Sequence, residues 1–150
     1  MDWRKEQEGP YDRQQGLGRT TVLLVENKEV TACLLAFVLQ KNGYRVIHSN
    51  NGAHAKSVMS AINPPDAVLL DRALPDTTGL ELPACMRTQE HWHRIPVAML
   101  TTNADTLDPR QAVGLGGNDS ILKPVSPTRL ATRLNRLLTG MRAFLLTIPQ

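Results

Sequence analysis

Cysteine is scarce in this chain, which has only Cys33 and Cys85 among its 150 residues. A disulfide framework needs more cysteines and an oxidising compartment. We therefore expect two reduced thiols, buried as small hydrophobic groups within apolar helical segments. The four histidines also lack the spacing to acids or cysteines that a zinc site requires, so we expect them at the surface or in loops. Neither a disulfide scaffold nor a zinc domain is indicated.

Long apolar runs and strong charge are also missing. No stretch approaches the roughly 18 consecutive apolar residues of a membrane span, and the N-terminus lacks the apolar core of a signal peptide. The net charge of +3 is too small to argue for nucleic acid, and no helix-turn-helix or other DNA-reading motif is present. We therefore expect a cytoplasmic protein with no membrane contact and no direct nucleic-acid partner.

The length suits one domain with a real hydrophobic core. Residues 1–19 mix charges of both signs with glycine and proline and show no hydrophobic period, which predicts a flexible tail. Residues 20–139 carry the regular patterns of the domain. Residues 140–150 are apolar for a tail, so we interpret them as a C-terminal tail or an extension of the last helix, with a protein interface as one use.

Five short apolar runs alternate with helical patterns along the domain. Alternation of this kind, with short connections and right-handed crossovers, predicts an α/β fold: a (βα)5 doubly wound sheet of five parallel strands covered on both faces. The predicted strands are residues 20–25, 44–48, 66–71, 96–101 and 120–122. The predicted helices are residues 28–41, 52–61 and 80–90, a short one within 103–117 opened by Asp108 and Pro109, and one opened by Ser126 and Pro127.

Polar residues stand where the predicted strands end. Ligand sites in open parallel sheets lie beyond the carboxyl ends of the strands, so these residues should share one crevice. They supply oxygen ligands for a hard cation, a carboxylate nucleophile, a hydroxyl and an ammonium, which is the set that phosphoryl transfer needs. The residues are Glu26 and Asn27 after strand one, Asp71 at the end of strand three, Thr101 at the end of strand four with Thr102 after it, and Lys123 before Pro124 after strand five.

The same segments resemble the successive motifs of bacterial two-component response-regulator receiver domains. The resemblance covers about residues 20–139, and four motifs in the right order make it specific. The motifs are Val22-Leu23-Leu24-Val25-Glu26-Asn27, Asp66-Ala67-Val68-Leu69-Leu70-Asp71 with Leu74-Pro75 and Gly79, Pro96-Val97-Ala98-Met99-Leu100-Thr101, and Gly116-Gly117-Asn118-Asp119 with Lys123-Pro124.

The resemblance implies a flavodoxin-like receiver fold and a set of roles. Asp71 would accept a phosphoryl group from a histidine kinase or phosphotransfer protein. Thr101 would contact that group and move on activation, and Lys123 would pair with it, with a cis peptide bond to Pro124 expected. Mg²⁺ would be held by Glu26, Asn27, Asp71 and the backbone carbonyl of Ala73. The domain would then act on a downstream protein target rather than as an enzyme, apart from self-phosphorylation and autodephosphorylation on Asp71.

The chain departs from the family pattern at several places. The usual second acid after strand one is Asn27, which removes a negative charge, so Mg²⁺ binding should be weaker. Ser120 replaces the aromatic residue that turns inward on activation, so any signal must use a different readout. Thr102 replaces a small residue and should narrow access to Asp71. Three glycines and a proline in residues 103–117 should shorten or loosen the fourth helix.

These departures keep a second hypothesis open, a degenerate receiver that binds proteins independently of phosphorylation. Two other classes are remote. An aspartyl-phosphate hydrolase needs a second Asp where this chain has Ala73, and a nucleotide-binding module needs a glycine-rich turn after strand one. For partner contacts, including a homodimer, the candidates are the apolar end of the chain and the last helix, whose arginines are Arg129, Arg133 and Arg136.

Overall fold

A computed structural model describes residues 20–76, 81–102 and 119–147 of the chain, with the side chains of residue 120 and of residues 141–147 left out. Five parallel strands form one sheet in the order β2-β1-β3-β4-β5. The predicted (βα)5 sheet is thereby confirmed; the predicted helix within 103–117 lies outside the described residues. The strands are β1 (Thr21–Val25), β2 (Arg45–Ser49), β3 (Ala67–Asp71), β4 (Val97–Thr101) and β5 (Asp119–Leu122).

The central strands are buried from end to end. All five residues of β3 and all five of β4 are buried, and β1 is buried after its first residue. Strands buried on both faces read as continuous apolar runs instead of alternating patterns. This is why residues 22–25 and 67–70 are recognisable as strands from their sequence alone.

The described helices begin and end at residues suited to those positions. Asn51 caps the second helix by accepting from the backbone N–H of His54 (2.7 Å), and Ser126 caps the last by accepting from the N–H of Arg129 (3.0 Å). Gly43 follows the first helix with φ of 87°, a conformation that favours glycine. The helices are α1 (Glu29–Lys41), α2 (Gly52–Ala61), α3 (Glu81–Thr88) and α4 (Pro127–Thr147). No helix among the described residues has both the length and the apolarity to cross a membrane.

The sheet separates two hydrophobic cores. Alternate residues of each strand point to opposite faces, so Leu24 and Leu69 lie in one core while Leu23 and Leu70 lie in the other. The first core is closed by α1 and α4, and the buried stripe of α4 consists of Leu130, Leu134 and Leu138. The second core is closed by α2 and α3.

Helix α1 buries a different stripe from the one its larger apolar residues suggest. The residues that face the sheet are Ala32, Leu35, Ala36 and Leu39. Val30, Leu34 and Phe37 are 75%, 62% and 59% exposed. The small side chains of the two alanines let the helix approach the sheet closely, so the bulkier set is left on the solvent side.

The expectation that both cysteines are buried was wrong. Both cysteines are free, but Cys33 lies on the exposed side of α1 and Cys85 is only half-buried, so neither is a fully buried thiol. Trp92, in the loop before β4, is 3% exposed and belongs to the second core. A large ring in a loop is thus packed into the core beside residues of the sheet.

The two sides of α1 should respond differently to truncation. Leu39 is fully buried, so Leu39→Ala should lower the free energy of unfolding by roughly 2–5 kcal/mol. Leu34 is mostly exposed, so Leu34→Ala should change it by less than about 0.5 kcal/mol. Urea denaturation of both variants measures the difference. Equal losses would mean that the two leucines are buried to the same extent and that α1 faces the sheet with another stripe.

Candidate functional site

The sheet brings the predicted site residues to its carboxyl edge. The register pairs Val25 with Leu70, Asp71 with Leu100, and Thr101 with Leu122, so β1, β3, β4 and β5 end side by side. The backbone N–H of Lys123 donates to the carbonyl oxygen of Thr101 (2.7 Å), which continues the pairing one residue past β5. The peptide bond between Lys123 and Pro124 is cis, as expected.

Lys123 lies between two carboxylates. Its Nζ is 2.7 Å from Oε2 of Glu26 and 3.4 Å from Oδ2 of Asp71. The side chain of Glu26 is completely buried, that of Asp71 is 8% exposed and that of Lys123 is 12% exposed. Charged groups this far from water need partners. Within this group of three described side chains, one ammonium faces two carboxylates, which leaves one negative charge in excess.

Of the two residues after β1, Glu26 turns into the site. Its Oε1 accepts from the backbone N–H of Lys28 (3.4 Å), while Oε2 accepts from Lys123. Asn27 is exposed. The sequence alone leaves open which of the pair faces inward; the structure places the Glu26 carboxylate beside Asp71 through their shared contact with Lys123.

The backbone of Glu26 is held from β2. Its N–H donates to the carbonyl oxygen of Ser49 (3.0 Å), and its carbonyl oxygen accepts from Nε2 of His48 (2.8 Å). A carbonyl can only accept, so this contact requires the proton of the ring on Nε2. The sequence predicts His48 to be a surface or loop residue, whereas it lies half-buried in β2 with this specific contact.

The segment after Asp71 folds back onto it. The N–H of Ala73 donates to Oδ1 of Asp71 (3.0 Å), and the N–H of Arg72 donates to the carbonyl oxygen of Leu100 (2.9 Å). The two carboxylate oxygens of Asp71 therefore have different neighbours: Oδ1 faces the backbone and Oδ2 faces Lys123. Ala73 itself is exposed, on the solvent side of the same turn.

Asp76 makes a polar contact that the sequence does not reveal. Its Oδ1 and Oδ2 accept from the N–H groups of Gly52 (2.8 Å) and Ala53 (2.9 Å), at the start of α2. Those hydrogen bonds, that of Gly52 first, hold the pKa of Asp76 below its ordinary value of 3.8. The sequence around Asp76 does not indicate that its partner is a helix that begins 24 residues earlier. The contact becomes apparent only in the folded structure.

Thr101 and Thr102 differ in their exposure to solvent. Thr101 is 5% exposed at the last position of β4, on the same edge as Asp71. Thr102 is exposed and lines a cavity of about 310 Å³ together with Lys28, Leu34, Lys123 and Pro124. The structure therefore places Glu26, Asp71, Thr101 and Lys123 at one edge of the sheet, with Asn27 and Ala73 on its rim.

The donor set suits a hard cation with few protein ligands. Among the described residues no group of three or more His, Cys, Asp or Glu side chains could enclose a metal ion. Mg²⁺ commonly binds through one or two carboxylates and keeps several waters. Glu26 and Asp71, with one negative charge in excess after pairing with Lys123, fit such an ion.

Comparison with known proteins identifies the arrangement. The sequence profile of the family described as "Response regulator receiver domain" matches residues 22–135. The phosphate regulon transcriptional regulatory protein PhoB of Pseudomonas aeruginosa is 33% identical over 118 residues, which cover 79% of this chain and 51% of PhoB. The chain thus spans about half the length of this curated relative.

Solved structures agree with the profile. The receiver domain of a signal transduction histidine kinase from Syntrophus aciditrophicus has a TM-score of 0.72 and 31% identity, covering 81% of this chain and 91% of that one. The receiver domain of the sensor histidine kinase PA1611 from Pseudomonas aeruginosa has a TM-score of 0.73 and 30% identity, covering 81% and 99%. That second structure has a magnesium ion coordinated in its active site cleft.

Removal of the shared ammonium should destabilise the fold. Lys123→Met leaves Glu26 and Asp71 buried without their cation, and should lower the free energy of unfolding by roughly 3–5 kcal/mol. Adding Glu26→Gln removes one of the two orphaned charges and should restore much of the loss. Urea denaturation of both single variants and the double variant gives the coupling. Additive losses would contradict the ion pair.

Asp76 should make the free energy of unfolding fall as the solution becomes more acidic. Its pKa is lowered on folding, so its contribution is complete above the ordinary value of 3.8 and is lost as the pH falls through the folded pKa. Wild type should therefore exceed Asp76→Asn in free energy of unfolding by a constant margin above about pH 5, and the margin should shrink on acidification below 3.8. Denaturation at a series of pH values checks this, and a margin that grows in acid would refute it.

Proposed function

The chain belongs to the response regulator receiver family, and we propose that it is a phosphoacceptor receiver of two-component signal transduction, phosphorylated on Asp71 by a histidine kinase or a phosphotransfer protein. Receiver domains are in general signalling modules and not enzymes. The observation that carries the proposal is the Asp71 carboxylate at the carboxyl end of β3, with Oδ2 3.4 Å from the Lys123 ammonium.

The chemistry follows from the charges at the site. An oxygen of Asp71 forms a bond to phosphorus while the bond from phosphorus to the imidazole nitrogen of the donor breaks, and the released imidazole takes up a proton. Phosphoryl transfer asks the protein mainly for positioning and neutralisation of charge. In this proposal Lys123, which already contacts Asp71, pairs with a phosphoryl oxygen, and the hydroxyl of Thr101, the last residue of β4, donates to another.

Glu26, Asn27, Asp71 and the Ala73 carbonyl are the residues that would hold Mg²⁺. When bound, the ion supplies positive charge against the phosphoryl oxygens. Asn27 contributes no charge, but the buried carboxylate of Glu26 already faces inward and offers one acid besides Asp71. We propose that Glu26 partly compensates for Asn27, with weaker binding of Mg²⁺ than two acids would give.

A degenerate receiver is the second candidate, and one distance favours it. Lys123 lies closer to Glu26 (2.7 Å) than to Asp71 (3.4 Å), so its charge is directed first at a residue that does not accept phosphate. The exposed apolar side of α1, with Leu34 and Phe37, suits a protein contact that needs no phosphorylation. Under this hypothesis the domain binds its partner without any change between an unphosphorylated and a phosphorylated state.

The proposed setting is the cytoplasm, with output through protein contact. The downstream target would be a protein, and the exposed Arg129 and Arg136 of α4 offer a surface for it or for a second copy of the chain. Arg133 is partly engaged, because its Nη1 donates to Oδ1 of Asp119 (2.8 Å).

Intact-mass measurement after incubation with acetyl phosphate and Mg²⁺ tests the proposal. Wild type should gain one phosphoryl group, and Asp71→Asn should gain none, because the amide is not a nucleophile of comparable strength. Asp66→Asn is a matched control, since Asp66 precedes β3 at the opposite end and binds the Thr21 N–H (2.7 Å). Phosphorylation of Asp71→Asn would mean that another residue is the acceptor and would contradict the proposal.

Asn27→Asp separates the two candidate functions. A second acid after β1 should strengthen Mg²⁺ binding and raise the initial rate of phosphorylation by acetyl phosphate. If wild type takes no phosphoryl group at high Mg²⁺ and Asn27→Asp does, the metal site is the defect and the chain is a degenerate receiver. If neither is modified, the pairing of Glu26 with Lys123 and the narrowing of access by Thr102 are the candidate causes, and Glu26→Asp tests the first by shortening the acid.

A further inference from the structure

We propose that Asp76 is a positioning residue: by clamping the turn after β3 to the first residues of α2, it holds Asp71 and the Ala73 carbonyl where the site needs them. This inference rests on the proposed function of Asp71, and it assigns to Asp76 a role in that reaction without contact with the reacting atoms. It starts from two hydrogen bonds that join separate parts of the chain.

The turn from residue 72 to residue 76 is fixed at both ends. At its start, the Arg72 N–H is bound to Leu100, and the Ala73 N–H is bound to Asp71 Oδ1 (3.0 Å). At its end, the two oxygens of Asp76 take the first two N–H groups of α2. Between these anchors Leu74 is buried in the second core. The exposed Ala73 lies within this span, so its carbonyl direction depends on both anchors.

Asp76 is not simply the cap of α2, because that helix has its own. The first N–H groups of a helix have no partner within it. Asn51 takes the N–H of His54 with its side chain and that of Ala55 with its carbonyl oxygen (3.0 Å). Asp76 takes those of Gly52 and Ala53. Capping within the helix and clamping to the turn are therefore done by different residues.

Two bonds from one carboxylate fix orientation as well as distance. A single acceptor could swing about its hydrogen bond, whereas Oδ1 and Oδ2 each meet a different backbone N–H. The negative charge also lies at the positive end of the α2 dipole, which favours the contact further. Loss of the clamp would let the turn move while Asp71 stays in β3. Metal sites that lose a supporting group of this kind typically lose about 10–100-fold in affinity.

The decisive comparison is Asp76→Ala against Asn51→Ala. Both remove hydrogen bonds from the start of α2, so both should lower stability, but only Asp76→Ala frees the turn. We expect Asp76→Ala to raise the dissociation constant for Mg²⁺, measured by calorimetry, on the order of 10-fold, and the Mg²⁺ concentration for half-maximal phosphorylation likewise. Asn51→Ala should leave both unchanged. Asp76→Asn, which keeps one accepting oxygen, should be intermediate and serves if Asp76→Ala does not fold.

Amide hydrogen exchange at Ala73 gives a readout independent of activity. The Ala73 N–H, which is bound to Asp71, should exchange faster in Asp76→Ala than in wild type, and at the wild-type rate in Asn51→Ala. Unchanged exchange and unchanged Mg²⁺ affinity in Asp76→Ala overturn the inference, as does an equal effect of Asn51→Ala. If wild type neither binds Mg²⁺ nor is phosphorylated, the proposed function fails, and exchange at Ala73 alone decides whether Asp76 positions the turn.

Discussion

The contact of one lysine with two buried carboxylates is the constraint on which the carboxyl edge of this sheet depends. Glu26 has no exposure to water, so its charge depends on close partners, of which the nearest is the Lys123 ammonium at 2.7 Å. The desolvation of such groups costs several kcal/mol per ion, and only close partners offset it. Lys123 follows β5 while the two acids belong to the ends of β1 and β3, so the ion pairs join strands that are not neighbours in the chain.

The fold could be predicted from the sequence because buried parallel strands leave an unambiguous pattern. Short runs of valine and leucine, each followed by a polar residue, indicate both the strands and the edge at which chemistry would gather. Asp71, Thr101 and Lys123 could be grouped for that reason. Their grouping needs only strand order and direction, which short right-handed crossovers determine. The periodicity of apolar residues did not predict which face of a helix is buried. Helix α1 has two apolar stripes at helical spacing, and the pattern does not say that the one containing Ala32 and Ala36 faces the sheet.

The inward turn of Glu26 and the clamp by Asp76 could not be predicted from the sequence for a second reason. Glu26 and Asn27 are adjacent, and either could face the site until the backbone of Glu26 is fixed by Ser49 and His48 of β2. Asp76 has as its partners two backbone groups on α2, which carry no side-chain signal. In both cases the deciding contact comes from β2 or the start of α2, where the sequence has no acid to mark the segment as part of the site.

The excess charge explains why these backbone contacts matter. The repulsion between Glu26 and Asp71 weakens the hold of their shared cation on each of them and favours movement that separates the two carboxylates. The backbone bonds to Glu26 on one side and the turn after Asp71 on the other oppose that movement. Under the proposed function the site holds this negative charge before a cation or a phosphoryl group arrives, and the hydrogen bonds from β2 and the start of α2 fix the neighbouring backbone on both sides.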